Sequence, residues 1–571
     1  MQMYQTAQSS KDWSLFLERS LQSLVAFICV ALVLVPLAPL FIQAFIDRPL
    51  YDSGWQLSLQ GFHELFTSPQ VAQVTWNTLY FMVMTSTLSM VLGIGAAVLI
   101  GRTNLPLAEA LHSFSRWPIY ISAIVLAIGW TIVYGPSGYI TILLRQIGIS
   151  TGNLYSLEGI ALVSAVSHAP VTLIYAIGSV RQQDSSLENA ALVSGAGPFT
   201  ILRKITLPLM RPAIIFCVIM NVVTSLESFA IPLVLGGPHG IDLIASYIYR
   251  AGFSAITPNY PLVAAAAVTL VMIISALTVM QLFLLRKMSR FTTVVGKAVR
   301  QNKFDLGVLR WPVFAIFSLY IIVCILIPMA GVFARAFTHF LTPLIPISST
   351  FTWDNFSVIF SDSGYVRAIK NTLIISFFGG MLSTAIITLI VFVAQRSNFP
   401  GRVVLDFLVQ FPRAIPGILI GLGLFYAAAL LPGGGWLMGT LWILVIAYTM
   451  RFLPNGYSII APAVMAVSQD LDKAANTMGA SWLRVALQIV VPLIKISIFN
   501  CYSILFIFSV KEYASAIFLY RQGTEVMGSV LLSFWAQGDS GPVAALAVLQ
   551  ILIVITYAFI AGRFIKGHDR G

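Results

Sequence analysis

"LENAALVSGAGPFTILRKITLPLMRPAI" occupies residues 187–214, and "LDKAANTMGASWLRVALQIVVPLIKISI" occupies residues 471–498. Both are polar, basic islands in an otherwise apolar chain. Each carries Ala-Ala, three residues, Gly-Ala, then eight residues before Ile-x-x-Pro. The first copy supplies Glu188, Asn189, Ala190, Ala191, Gly195, Ala196, Ile205 and Pro208. The second supplies Asp472, Lys473, Ala474, Ala475, Gly479, Ala480, Ile489 and Pro492 at the same spacing. The spacing predicts a short helix over 186–197 whose small residues let a partner backbone approach closely. Gly195 suits its C-terminal turn, and Pro212 suits the start of the apolar run that follows. An alanine-rich membrane composition does not by itself place two such copies in register.

The 571-residue chain is 58% hydrophobic and only 9% charged, against roughly 25% charged residues in soluble domains. That composition defines a membrane protein. In lipid the backbone must satisfy its own hydrogen bonds, which leaves helices or a closed barrel. Barrel strands alternate apolar and polar over about ten residues. The apolar runs here are continuous and long, so helices are expected. Residues 1–20 are polar and are read as a cytoplasmic segment. The 26 uncharged residues 21–46 are longer than a signal h-region and are read as a first span. Cys29, Cys217, Cys324 and Cys501 all lie in apolar runs without CxxC spacing and read as packing residues. No disulfide, metal site or catalytic residue is expected.

Runs of about 20 apolar residues mark the spans. They fall at 21–46, 76–101, 117–135, 157–180, 212–235 and 261–285, then 309–335, 371–395, 406–430, 437–462, 493–517 and 542–563. The 37-residue uncharged run 414–450 is too long for one span, and "LPGGGW" at 431–436 breaks it into a hairpin. With a cytoplasmic N-terminus, the inside segments hold 22 of the 33 Lys and Arg residues. Seven of these lie in the loop 286–310. This bias predicts both termini in the cytoplasm. It also accounts for the net charge of +12 without a nucleic-acid partner. Membrane lipid is the expected surroundings.

Six spans, a basic linker and six more spans suggest a duplication. "WNTLYFMVMTSTLSMVLGIGAAVLIGRTNLP" at 76–106 matches "KNTLIISFFGGMLSTAIITLIVFVAQRSNFP" at 370–400, an offset of 294. Asn77 pairs with Asn371, Thr78 with Thr372, Arg102 with Arg396 and Pro118 with Pro412. Beyond the third span the offset is 284, where Pro170 pairs with Pro454 and the two opening stretches align. An even number of spans inserts both halves in the same orientation, about an axis along the membrane normal. The organisation read from the sequence is therefore 1–20, a first half 21–290 with the loop 181–211, a linker 291–308, and a second half 309–571 with the loop 466–492.

The duplicated stretch resembles the permease subunit of binding-protein-dependent ABC importers, in the form that fuses two six-span halves. That family carries a cytoplasmic Glu-Ala-Ala, three residues, Gly loop, followed by Ile-x-Leu-Pro. The resemblance covers essentially the whole chain. It implies an all-α polytopic protein of about 12 transmembrane helices with the type I importer permease fold, in the inner membrane. It implies that Glu188 to Ala191 with Gly195 and Ala196, and Asp472 to Ala475 with Gly479 and Ala480, couple to two copies of a separate ATPase subunit. A periplasmic substrate-binding protein would deliver cargo to a cavity between the halves. ATP and Mg would be used by the partner, with no cofactor on this chain. The chain fits that division of labour, because no GxxxxGK[ST] occurs: Gly296-Lys297 is followed by Ala298. One departure stands out. The family's glutamate position holds Asn189 and Lys473, and the acid sits one residue earlier, at Glu188 and Asp472.

Ionisable residues inside spans are functional candidates. Glu227 and Glu512 occupy nearly equivalent sites in the fifth spans, beside Ser225 and Ser509, and are the candidates for a substrate path. Local neutralisation of Glu512 by Lys511 or Arg451 is the competing reading. His168 reads as a packed histidine, and Arg413 as a residue that snorkels to the cytoplasmic side. Wording such as "SLESFAIPLVLGG" looks most like the fused permeases assigned to ferric iron. Thiamine, polyamine and phosphonate importers are alternatives. A stand-alone ion-coupled transporter is the alternative of another class.

Overall fold

The computed structural model describes residues 2–568 except 151, 184–185 and 289–302. Most of the basic linker expected at 291–308 thus lies outside the described residues. Among the described residues, nine helices are long and apolar enough to cross a membrane, or twelve if each of three bent pairs is one span. The same residues hold no strand, only isolated bridges such as Ile46 with Leu57 and Thr338 with Phe351. The all-helical duplicated architecture expected from the sequence is therefore what the chain adopts.

Helix starts follow local chemistry. Ser122 accepts from the Val125 amide and Ser156 from the Gly159 amide, satisfying amides that have no partner within the helix. Pro170 and Pro454, equivalent in the repeat, both lie inside the fourth spans, Leu157–Gln182 and Trp442–Ala466. The hairpin expected at 431–436 is present: the helix Gly417–Leu430 ends there, and Gly433 takes a left-handed φ of 78°.

Three spans depart from a single rod. The run 402–430 bends by 108° between Arg402–Ala414 and Gly417–Leu430. The fifth spans bend by 72° between Pro198–Leu209 and Arg211–Leu226, and by 79° between Trp482–Leu493 and Lys495–Val510. The two fifth-span elbows follow the Ile-x-x-Pro elements. Pro208 and Pro492 offer no amide to the preceding turn. The helix widens there into π segments at the equivalent positions Leu202–Thr206 and Ala486–Val490. The fifth spans also end earlier than the apolar runs 212–235 and 493–517. Their helices stop at Leu226 and Val510, and a separate short helix, Ala230–Leu235, follows the first. The first helix runs unbroken over Gln2–Gln43 and so includes the polar N-terminal residues.

The compact units do not follow the sequence halves. One unit gathers Met1–Gly61, Ser363–Val530 and Leu552–Gly571, the other Phe62–Asp362 and Leu531–Ile551. In the first of these, the N-terminal helix packs on the helix Gly417–Leu430. Gly423 permits this, because a Cβ there would lie 2.2 Å from the Pro36 carbonyl oxygen. In the other unit Gly331 faces Val133 in the same way, with 2.3 Å from a Cβ to Val133 Cγ2. A duplication read from sequence carries no information about which core a flanking helix joins.

The second and fourth spans touch closely within each unit. Gly93 faces Thr172, where a Cβ would come within 2.5 Å of the Thr172 Cβ. At the equivalent contact the glycine lies on the other helix: Gly456 faces Ile387, with 2.7 Å from a Cβ to the Ile387 Cδ1. The close approach is kept while the small residue changes sides, as a volume-conserving exchange in a dense interior would require.

Candidate functional site: two anchored docking helices

The first duplicated stretch forms the helix Ser186–Val193, and the second forms Gln469–Thr477. The two end alike. Gly195 and Gly479 take φ of 83° and 80°. The Ala196 amide donates to Ala191 O, and the Ala480 amide donates to Ala475 O, both over 2.9–3.0 Å. This is the six-to-one closure of a Schellman turn, for which glycine is the natural residue. A Cβ at either glycine would meet nothing within 4 Å, so the requirement is backbone conformation alone. Ser468 caps the second helix by accepting from the Asp470 amide.

The acids have a defined use. Glu188 is 2% exposed. It receives a hydrogen bond from Thr206 Oγ1 at 2.7 Å and lies 3.5 Å from Arg102, the last residue of the second span. Arg102 is itself 1% exposed and also donates to the Gln183 carbonyl at 3.2 Å. In the second half Asp472 takes both oxygens to Arg396 Nη1 at 2.7 Å, and Arg396 also donates to the carbonyls of Val464 and Val467. Arg102 and Arg396 are repeat equivalents, as are Glu188 and Asp472. Each of these two short helices is therefore tied to the end of its own second span by an Arg–carboxylate pair. The first pair is dry, whereas the Asp472 side chain is 22% exposed. Glu188 and Asp472 both turn toward these arginines. The residues left outward include Leu187, Leu192 and Val193 in the first copy, and Leu471, Lys473 and Met478 in the second, among polar neighbours such as Ser194, Asp470 and Asn476, with Val193 90% and Met478 88% exposed. Lys473 pairs with Asp470 at 2.9 Å on the exposed face. Asn189 is half-buried, Ala190 and Ala474 are exposed, and Ala191, Ala196, Ala475 and Ala480 are partly covered.

The expected path residues separate. Ser225 is buried and Glu227 is half-buried, at the C-terminal end of Arg211–Leu226. Glu512 is 7% exposed and already engaged. Arg451 Nε lies 2.9 Å away, and the Ser515 amide and hydroxyl both donate to it at 3.0 Å. Of the two neutralising partners considered, Arg451 makes the close ion pair, and Lys511, the neighbouring residue, also lies with its Nζ over the Phe508 ring at 5.4 Å. Ser509 is buried near them.

A small cavity of about 30 Å³ opens between the fourth and fifth spans of the first half. His168, Tyr175, Cys217, Met220, Asn221 and Thr224 are among its lining residues. His168 Nδ1 is buried there without a hydrogen-bond partner among the described residues. Asn221 donates to Thr172 Oγ1 at 2.8 Å. The repeat positions of His168 and Thr224 in the second half are Phe452 and Phe508, whose rings lie 5.4 Å apart. The first half leaves a small, mostly apolar cavity where the second places two aromatic rings. Among the described residues no group of three His, Cys, Asp or Glu side chains could hold a metal ion.

Sequence reasoning missed the arginines, Thr206 and the cavity. A signal for the arginines was present, because Arg102 and Arg396 repeat exactly where both apolar runs end.

A duplicated set of membrane spans, with an anchored helix projecting between the fourth and fifth of each set, defines a transport permease of two like halves. The chain belongs to the family of binding-protein-dependent transport system inner membrane components, which it matches over residues 89–290 and again over 386–567. It is similar to the ferric transport system permease protein FbpB of Actinobacillus pleuropneumoniae, 26% identical over 92% of this chain and 75% of that one. A putative ferric transport system permease protein of Haemophilus influenzae is also 26% identical, over 88% of this chain and 79% of that one. A solved bacterial ABC transporter that imports alginate aligns with 51% of this chain and all of that one, at 23% identity and a TM-score of 0.40.

Proposed function

We propose that this membrane permease imports ferric iron, receiving it from a soluble binding protein and driven by two copies of a separate ATPase. The observation that carries the coupling is the pair of docking helices. Each is fixed on its inner face by an Arg–carboxylate pair and presents apolar residues outward. An exposed apolar patch rimmed by polar residues marks a partner surface. The docking surfaces differ in charge, because Lys473 stands where the first half has Asn189. Both termini and both docking helices lie on the cytoplasmic side, in keeping with the lysine and arginine bias.

Iron as cargo is supported by the names of the two relatives. It is also in keeping with Glu227, a half-buried carboxylate at the C-terminal end of the fifth-span helix of the first half. Selection between cargoes rests largely with the binding protein. The test is reconstitution of the chain with its ATPase and binding protein in proteoliposomes. Radioactive Fe(III) on the binding protein should enter only with ATP inside the reach of the ATPase. Entry of thiamine, polyamine or phosphonate in place of iron would reassign the cargo. Iron or other solute flux driven by an ion gradient without any ATPase would remove the importer reading.

A further inference from the structure

The second span of each half is held at both ends by the same set of residues. At the docking end, Arg102 and Arg396 hold Glu188 and Asp472. At the far end stand the Asn-Thr pairs Asn77-Thr78 and Asn371-Thr372, and they also make matching contacts. Asn77 Nδ2 donates to the Asp242 carbonyl at 3.4 Å, and the Ile244 amide donates to Thr78 Oγ1 at 3.0 Å. Asn371 Nδ2 donates to the Glu525 carbonyl at 2.9 Å and the Gly523 carbonyl at 3.0 Å. The Met527 amide donates to Thr372 Oγ1 at 2.8 Å. All four side chains are buried. The segments they grip are equivalent, for both lead into the short helices Ile244–Tyr249 and Met527–Ala536 that precede the sixth spans. Each gripped acid also has its own arginine, Arg250 on Asp242 and Arg367 on Glu525.

Between the grips runs one unbent helical span in each half, Pro69–Arg102 and Ser363–Arg396, the second widened by one π turn at Ile375–Gly379. The interval from Asn to Arg is the same in both, 25 residues, or about 37 Å of helix. A helix is stiff along its axis, and a hydrogen-bonded contact at each end of it moves with it. The fifth span, which also connects these regions through the chain, cannot serve in this way: it is bent by 72° and 79° and ends before reaching the gripped segment.

We infer that the second span of each half is a strut that carries displacement of the docking helix to the segment before the sixth span. Asn77, Thr78, Asn371 and Thr372 are positioning residues in this device. The inference rests on the reading of 186–193 and 469–477 as docking helices for an ATPase. It adds where the motor stroke is delivered and by which side chains.

Two measurements on the complex purified with its ATPase test it. In the first, spin labels at Gln70 and Ile256 span the far grip, and labels at Leu107 and Val193 span the docking grip, in an otherwise parental chain. Both distances should stay within about 2 Å between the nucleotide-free complex and the complex with a non-hydrolysable ATP analogue. A change of more than about 5 Å across either grip overturns the strut. In the second, T78V/T372V removes the two hydroxyl acceptors while keeping side-chain shape. The variant should retain its ATPase subunits and basal hydrolysis, yet move at least about fivefold less cargo per ATP. T78S/T372S, which keeps the hydroxyls, should recover most of that ratio. An unchanged ratio in the valine pair overturns the inference, as does a loss that serine does not repair. If the valine pair does not accumulate, the label distances decide. A chain that captures no ATPase refutes the docking reading and the strut together. One that captures it while a grip opens refutes the strut alone.

Discussion

Replacing Glu188 by alanine should loosen the first docking helix far more than replacing Asp472 loosens the second. The difference comes from water. Arg102 and Glu188 are almost wholly enclosed, with side-chain exposures of 1% and 3%, whereas Asp472 is 22% exposed. Removing one partner of a buried pair leaves an uncompensated charge and costs about 3–5 kcal/mol. Arg396, by contrast, would keep the carbonyls of Val464 and Val467 as acceptors, and water can replace the lost carboxylate. The loss there is that of a charged hydrogen bond, about 1.5–3 kcal/mol. If the cost is spent on local opening, the first helix opens about 13–30 times more often than the second in the corresponding variants. Hydrogen exchange of the segments 186–197 and 469–480 in lipid nanodiscs reads this directly. E188A should accelerate the first segment strongly and leave the second unchanged, while D472A should accelerate the second only modestly. R102L/E188L removes both charges together and should regain much of the protection. Equal acceleration in the two halves, or a double variant as loose as the single, would refute burial as the source of the difference.

Other outcomes follow from the same geometry. G195V and G479V force a β-branched residue to a φ near 80°, at about 1–2 kcal/mol or more each; both should lose ATPase subunits in pull-downs, whereas G195N should retain them. G93A places a Cβ 2.5 Å from the Thr172 Cβ and should lower the melting temperature, read by fluorescence-detected chromatography after heating. H168F/T224F copies the aromatic filling of the second half; the protein should accumulate normally, with iron uptake reduced if cargo uses the cavity. E227Q should lower uptake while assembly is kept, whereas E512Q, which weakens the hold on Arg451, should lower stability first.

The span count and the duplication were legible because hydropathy and repeat offsets are properties of short windows. The same windows hid the elbows. Residues 212–235 read as one apolar run, yet the helix stops at Leu226. Lipid-compatible side chains continue past Glu227, so composition does not register the backbone break. The Arg–carboxylate anchors were hidden for another reason. Arg102 aligns with Arg396 at an offset of 294, and Glu188 with Asp472 at 284. The insertion between them disguises the fact that both members of one contact are duplicated. Glu188 and Asp472 were expected at a motor surface because the family motif carries an acid nearby. Folding turns them toward Arg102 and Arg396, since an arginine at the end of a span needs a counter-charge when it is covered. For the substrate path, Glu227 and Glu512 looked equivalent, but Arg451 is present only in the second half, where the first has Ser167. Position in the repeat could not reveal that Glu512 pairs with Arg451.

Photo-crosslinking from the exposed tips of the docking helices tests the central claim most directly. A photoreactive amino acid at Val193, and separately at Met478, should yield adducts in native membranes with a subunit bearing the GxxxxGK[ST] nucleotide-binding motif, identified by mass spectrometry. The same probe at Ile256, exposed at the far end, should give no such adduct. Absence of the ATPase adduct from both tips, with uptake intact, would contradict the account.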